Sequence, residues 1–325
     1  MLRNGNELFY NVAVISKKEF DQSTVYMLLA MVFTMIVVGD VFGSLSNSGV
    51  IDRNNIFVLM AFSAIQFTLF LCVVFAFWII SGIGKDGFRQ IWLDRVSIRP
   101  QNTMMIIVLT VLCMVSFFLV VGAFEEFLCG IGFSSDNNNN RLAGMNSFEI
   151  YLLMVLVSAV LPAVVEELIF RGAILRGFVR YGPVVAVIVS SVLFSLFHLN
   201  PLQTVYQFAL GVVLALVVLK TGKLIYAIIL HFINNFVIIT YTYIAGTSEI
   251  PVTWNIWTGL LTVTLLIVGV LAISFVLRNL KNERQENANE QEQKQEREKL
   301  FSVDSIGVFI VIALLATIWF AILLS

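Results

Sequence analysis

In a chain of 325 residues that is 59% hydrophobic and 13% charged, with a mean hydropathy of +0.91, the apolar surface is too large for one soluble core, and lipid must solvate most of it. The net charge of −1 excludes a global field suited to nucleic acid. Cys72, Cys113 and Cys129 all fall in apolar runs, which argues against a disulfide framework and for small buried hydrophobes.

The first 25 residues are polar and mixed in charge. They lack the basic start, short apolar run and small-residue cleavage site of a signal peptide, so the first membrane helix is expected to stay as an anchor. Stretches able to span a bilayer as helices follow near 26–45, 56–82, 104–128, 148–170, 183–199, 203–219, 224–245, 255–277 and 305–324. Asn200, Pro201 and Leu202 alone separate the fifth from the sixth. The fold class expected is all-α, a polytopic transmembrane bundle of about 8–9 helices around a core of about four. Three regions are read: 1–147 with about three spans, the core at 148–240, and 241–325, which contains a charged linker at 278–304. The stretch 278–300 is nearly free of apolar residues and reads as a solvated helix or a disordered cytoplasmic linker. Ser134–Arg141 (SSDNNNNR) reads as a polar external loop.

The basic residues give an orientation. With the N-terminus in the cytoplasm, 18 of the 20 lysines and arginines fall on inside segments, and only Arg53 and Arg141 lie outside. The alternation holds at every crossing, so the chain reads as N-in and C-out, with a bacterial cell membrane as its expected location.

Ionisable groups within a bilayer cost at least a few kcal/mol each, which makes them functional suspects. The chain has two histidines, His198 and His231, both assigned to apolar helices. A lone membrane histidine is commonly a helix–helix hydrogen-bond partner. Two of them, with no other histidine in the chain, point to a shared site. Val165–Gly172 reads VEELIFRG. Glu167 and Arg171, four apart, share a helical face, while Glu166 points about 100° away toward a water or a metal. Two carboxylates beside one arginine leave one negative charge uncompensated, which suits a general base. The plainer reading is an interfacial salt bridge at a helix end. Glu125 and Glu126 serve as a control: they have no arginine four or five residues later and no histidine nearby, and read as an outer interfacial pair. Asp40 is the one other acidic residue read as buried in a span. His231 and Asn235, also four apart, share a face and can bracket a carbonyl oxygen, one binding or polarising it and the other supplying an oxyanion donor.

Depth decides whether these groups meet. At ~1.5 Å per residue, His231 lies ~12 Å beyond Lys223 and His198 ~22 Å beyond Pro183. If the fourth helix stopped at Glu166, that carboxylate would sit at the surface. If it continues to Arg180, Glu166 lies ~21 Å deep and the three groups converge. Arg171 is then a buried partner, and Pro162 supplies a kink in a helix too long to be straight.

The set EExxxR (Glu166, Glu167, Arg171), FxxxH (Phe194, His198) and HxxxN (His231, Asn235), in that order on adjacent apolar helices, resembles the CPBP family. These are the CAAX-protease and bacteriocin-processing, or Abi, intramembrane metalloproteases, which include the type II CAAX prenyl endopeptidases. The resemblance covers roughly 148–240. It implies a polar chamber open to cytoplasm and lipid, and peptide-bond hydrolysis without a covalent intermediate. Carried over by motif, the candidate catalytic residues are Glu166 as general base, Glu167 with Arg171 holding geometry and charge, His198 and His231 binding a divalent metal or polarising the scissile carbonyl, and Asn235 stabilising the oxyanion. HExxH, the usual zinc-peptidase spacing, is absent. Glu166, His198 and His231 nevertheless form a candidate set for Zn2+ or another divalent metal.

The expected function is therefore an intramembrane endopeptidase acting on a membrane-associated peptide or protein, as in bacteriocin or signal-peptide processing or CAAX-type proteolysis. Its partners would be that substrate and the bilayer, with no nucleic acid. One alternative is a non-catalytic immunity or peptide-binding protein on the same fold, which should have lost one of Glu166, His198 or His231. Another is an ion-coupled transporter, which should spread its polar groups over both halves of the chain instead of concentrating them in 166–235.

Overall fold

The structure is a computed structural model and describes residues 17–80, 147–221, 223–245 and 303–324. The expected spans at 104–128 and 255–277, the stretch 278–300, the Ser134–Arg141 loop, Glu125, Glu126, Cys113 and Cys129 lie outside the described residues. Every regular element among the described residues is helical, as the composition requires.

Helix α1 (Lys17–Asn47) ends before Gly49, whose φ of +74° carries the chain into a turn that a side chain would strain. Helix α2 (Ile56–Ile80) starts where the Asn55 side chain accepts a 2.9 Å bond from the Phe57 amide, satisfying a donor the helix leaves open. The long helix α3 (Phe148–Phe178) is capped by Ser147 and closes in a 3₁₀ turn at Val179–Tyr181. Helix α4 (Pro183–Leu196) and helix α5 (Thr204–Thr221) form a hairpin. Helix α6 (Leu224–Ala245) and, near the other end of the chain, α7 (Val303–Leu324) complete the described bundle.

The run to 178 extends the expected 148–170 span and is the longer of the two versions that the depth argument weighed. Its 31 residues exceed the ~20 that a straight span needs. The excess is absorbed by two π-helical stretches, Leu156–Val160 and Leu168–Leu175. The first precedes Pro162, which has no N–H to give and crowds the preceding turn; the wider π turn makes room for it. The second begins directly after Glu167 and contains Arg171.

Four described helices are long and apolar enough to cross a membrane: Thr24–Asn47, Ile56–Ile80, Phe148–Phe178 and Leu224–Ile244. Pro183–Leu196, Thr204–Leu219 and Ile306–Ala321 are shorter apolar helices. The outward faces carry large apolar side chains such as Phe33 and Ile79, as a lipid-facing surface must. The chain is a multi-pass integral membrane protein.

Three expectations are corrected. Cys72, read as a small buried hydrophobe, is exposed on α2. Asp40 is exposed on α1, since its position falls on the outward stripe with Val37 and Val41. His198 does not lie in a helix. α4 stops at Leu196, short of the expected 199, because Leu199 takes a left-handed φ of +46° and the Asn200-Pro201 pair cannot continue a helix. At ~1.5 Å per residue its 14 residues rise only ~21 Å, less than the ~30 Å hydrocarbon core, so an α4 that starts at one interface would leave the 197–203 connection to turn back at membrane depth. Irregular backbone there is tolerated only inside protein or around water. The connection meets that condition with its own hydrogen bonds: His198 N–H to Ser195 O, Leu199 N–H to Leu196 O, Gln203 N–H to Asn200 O, Ser195 Oγ to Thr204 O, and Thr204 Oγ1 to Asn200 O. Trp319 of α7 adds a 2.6 Å bond from its indole N–H to Thr204 Oγ1.

Candidate active site

The three motifs meet where α3, the end of α4 and α6 come together. Glu167 and Arg171 are both fully buried, and Arg171 Nη1 donates to Glu167 Oε1 at 2.7 Å. The same Oε1 accepts from His231 Nδ1 at 2.9 Å. Arg171 Nη2 donates to the Gly211 carbonyl on α5 at 3.1 Å. The guanidinium also lies 4.3 Å from the centre of the Phe194 ring. Phe194 stands edge-on to His198 at 5.0 Å and to His231 at 5.6 Å between ring centroids. It is the wedge that separates the two imidazoles and seats the arginine, a role that the FxxxH spacing does not disclose.

The tautomers follow from these partners. His198 Nδ1 faces the Phe194 carbonyl at 2.7 Å, and a carbonyl only accepts, so Nδ1 carries the proton. His231 Nδ1 faces a carboxylate oxygen and carries its proton for the same reason. In a neutral ring with the proton on Nδ1, Nε2 presents a lone pair, and both Nε2 atoms lie near one atom: Glu166 Oε2 is 4.0 Å from His198 Nε2 and 4.0 Å from His231 Nε2. That oxygen is buried and has no hydrogen-bond partner. Three acceptors thus surround one small space with no donor between them. Glu166 and His198 keep 15% and 19% of their side-chain surface accessible, against 0% for Glu167 and 2% for His231, so the space opens on the side of the first two.

The fit to a divalent metal rests on donor chemistry. Two imidazoles with their distal N–H groups anchored, one to a carboxylate and one to a carbonyl, are the arrangement in which histidine ligates zinc, and Glu166 adds an unpartnered carboxylate oxygen. As placed, no three His, Cys, Asp or Glu among the described residues are drawn together closely enough to hold an ion. The set fits in kind, at separations that also match groups arranged around a water.

Asn235 lies one turn beyond His231 on α6 and is partly buried. Its Oδ1 accepts from Asn234 Nδ2 at 3.0 Å, and Tyr206 of α5 donates its hydroxyl to Asn234 Oδ1. No hydrogen bond joins Asn235 to Glu166, His198 or His231. The structure therefore brings Glu166, Glu167, Arg171, His198 and His231 into one cluster, with Asn235 beside it. Sequence reasoning missed Tyr206, Asn234 and the Gly211 carbonyl. Tyr206 and Asn234 are polar residues on otherwise apolar helices and were open to notice; a backbone carbonyl leaves no signal in sequence.

Residues 148–237 match the model of the family described as type II CAAX prenyl endopeptidase Rce1-like. This match shows the CAAX-protease resemblance read from the three motifs. Among curated proteins, the chain is 28% identical over 122 residues to a Bacillus subtilis (strain 168) protein named "Putative membrane peptidase YdiL". That alignment covers 37% of this chain and 49% of the relative, so the chain spans about half the length of the relative it matches. No solved structure matches the chain. At the level of the family, the likeness is to a CAAX-type membrane protease.

Proposed function

We propose that this protein is an intramembrane endopeptidase in which Glu166 activates a water for attack on a peptide carbonyl. The observation that carries this reading is the convergence of Glu166 Oε2 and the two Nε2 lone pairs on one donor-free space. A water there donates its hydrogens to two of these acceptors and keeps its own lone pair for attack. Glu166 takes the proton as the oxygen adds to the scissile carbon, then delivers it to the leaving amine. Glu167, already engaged by Arg171 and His231, serves as the fixed counter-charge and sets the His231 tautomer. With both rings neutral their Nε2 atoms would be acceptors, and oxyanion donation would fall to the Asn235 amide. If a metal binds, Glu166, His198 and His231 would hold it, and it would supply Lewis-acid polarisation and a more acidic water.

The substrate class proposed is the membrane-proximal end of a peptide or protein reached from the cytoplasmic face, of CAAX type or a bacteriocin or signalling-peptide precursor. The basic-residue asymmetry supports an N-in, C-out orientation. Cleavage of an internally quenched CAAX-terminated peptide, prenylated and unprenylated, by nanodisc-embedded protein tests the reading. Glu166→Gln, which keeps the side-chain shape but removes the base, should lower kcat by about 10²–10⁴-fold. Retention of full activity by that variant would show that Glu166 is not the base. Metal analysis runs alongside: if the three residues hold zinc, the purified protein carries it and His231→Ala loses it.

A further inference from the structure

Among the buried polar groups outside the Glu–Arg–His cluster, one chain of side chains ends at Asn235, one helical turn from His231. Tyr206 and Asn234 are 6% and 3% exposed, and Tyr206 donates to Asn234 Oδ1, whose Nδ2 donates to Asn235 Oδ1. The direction of this chain matters. A carboxamide has one accepting and one donating end, and Asn234 presents Oδ1 to the Tyr206 hydroxyl and Nδ2 to Asn235. Asn235 then has its oxygen occupied, and its NH₂ group, which has no partner among the described residues, is the end left over. Turned the other way, Asn235 would present an oxygen, which repels a developing oxyanion.

We propose that Tyr206 and Asn234 are positioning residues that lock the Asn235 amide with its NH₂ toward the substrate carbonyl. The proposal rests on the peptidase reading and deepens it: Asn235 lies outside the hydrogen-bonded cluster, and this relay from α5 is what fixes its orientation. Buried amides polarised end to end hold direction more firmly than isolated ones; the loss seen on removing outer-shell partners at metal sites, about 10–100-fold, sets the scale expected here.

The test is a double-mutant cycle on quenched-peptide cleavage in nanodiscs, with melting temperature recorded for each variant. Tyr206→Phe removes one oxygen and should lower kcat about tenfold while leaving KM unchanged. In an Asn235→Ala background the same change should have no further effect, because the residue through which it acts is gone. A merely structural tyrosine would lower both backgrounds by the same factor. Asn234→Leu, close in shape and without polar atoms, should behave as Tyr206→Phe does and serves if that variant fails to fold. Full kcat in folded Tyr206→Phe, or losses that multiply with Asn235→Ala, overturns the proposal while leaving the peptidase reading intact. Absence of cleavage by the wild type, with Glu166→Ala indistinguishable from it, overturns the peptidase reading and this inference with it.

Discussion

Glu167 Oε1 is shared between Arg171 Nη1 and His231 Nδ1, and all three side chains are almost wholly removed from solvent. A buried pair of this kind adds little net stability, but removing one partner strands the other charge. Arg171→Met is therefore expected to cost about 3–5 kcal/mol of stability, read as a lowered thermal midpoint in detergent; replacing both at once, as Glu167→Gln with Arg171→Met, should cost less than the arginine change alone. An additive result would mean that the two side chains are not a pair. This pairing was legible in the sequence, because four-residue spacing on a helix puts two side chains on one face. The convergence of Glu166 with both histidines was legible only through the depth argument. The roles of Phe194 and the Gly211 carbonyl were not, because which ring or carbonyl a buried guanidinium meets depends on how α3, α4 and α5 pack.

At the scale of elements, the α4–α5 hairpin decides where His198 sits, and its closeness depends on Gly211. A Cβ at that position would lie 3.1 Å from both Cα and Cβ of Ser191, tighter than most packed Cβ contacts, so that the backbone of α4 would have to give by a few tenths of an ångström. Gly211→Ala is expected to separate α5 from α4, disturb the carbonyl that Arg171 uses, and lower stability by about 1–3 kcal/mol. Gly172 gives the contrast. A Cβ there meets its nearest neighbours at 3.7 and 3.8 Å, ordinary contacts, so Gly172→Ala should be neutral or stabilising by up to ~1 kcal/mol through helix propensity. Equal melting points for the two variants would contradict this. The sequence marked the hairpin by Asn200 and Pro201 but led to a His198 inside a helix, because apolar composition continues to Phe197 while the backbone has already turned. The π stretches of α3 were hidden too: Pro162 advertises a kink, and only the packed structure shows that a wider turn replaces it.

For the whole molecule, the split of basic residues between the expected inside and outside segments makes a testable topology. With native cysteines changed to serine, Arg53→Cys is expected to react with a membrane-impermeant maleimide on intact cells, and Lys223→Cys only after permeabilisation. The reverse pattern would invert the proposed side of substrate entry. The all-α class follows from hydropathy alone, since lipid leaves the backbone no other economical way to satisfy itself in a chain without strand alternation. The central claim is that Glu166 and His231 act together on a peptide bond within this bundle. Its most direct test is cleavage of a quenched peptide by nanodisc-embedded wild type, Glu166→Ala and His231→Ala, each checked for folding. The account predicts turnover by the wild type and losses of about 10²–10⁴-fold in both folded variants; equal cleavage by all three would contradict it.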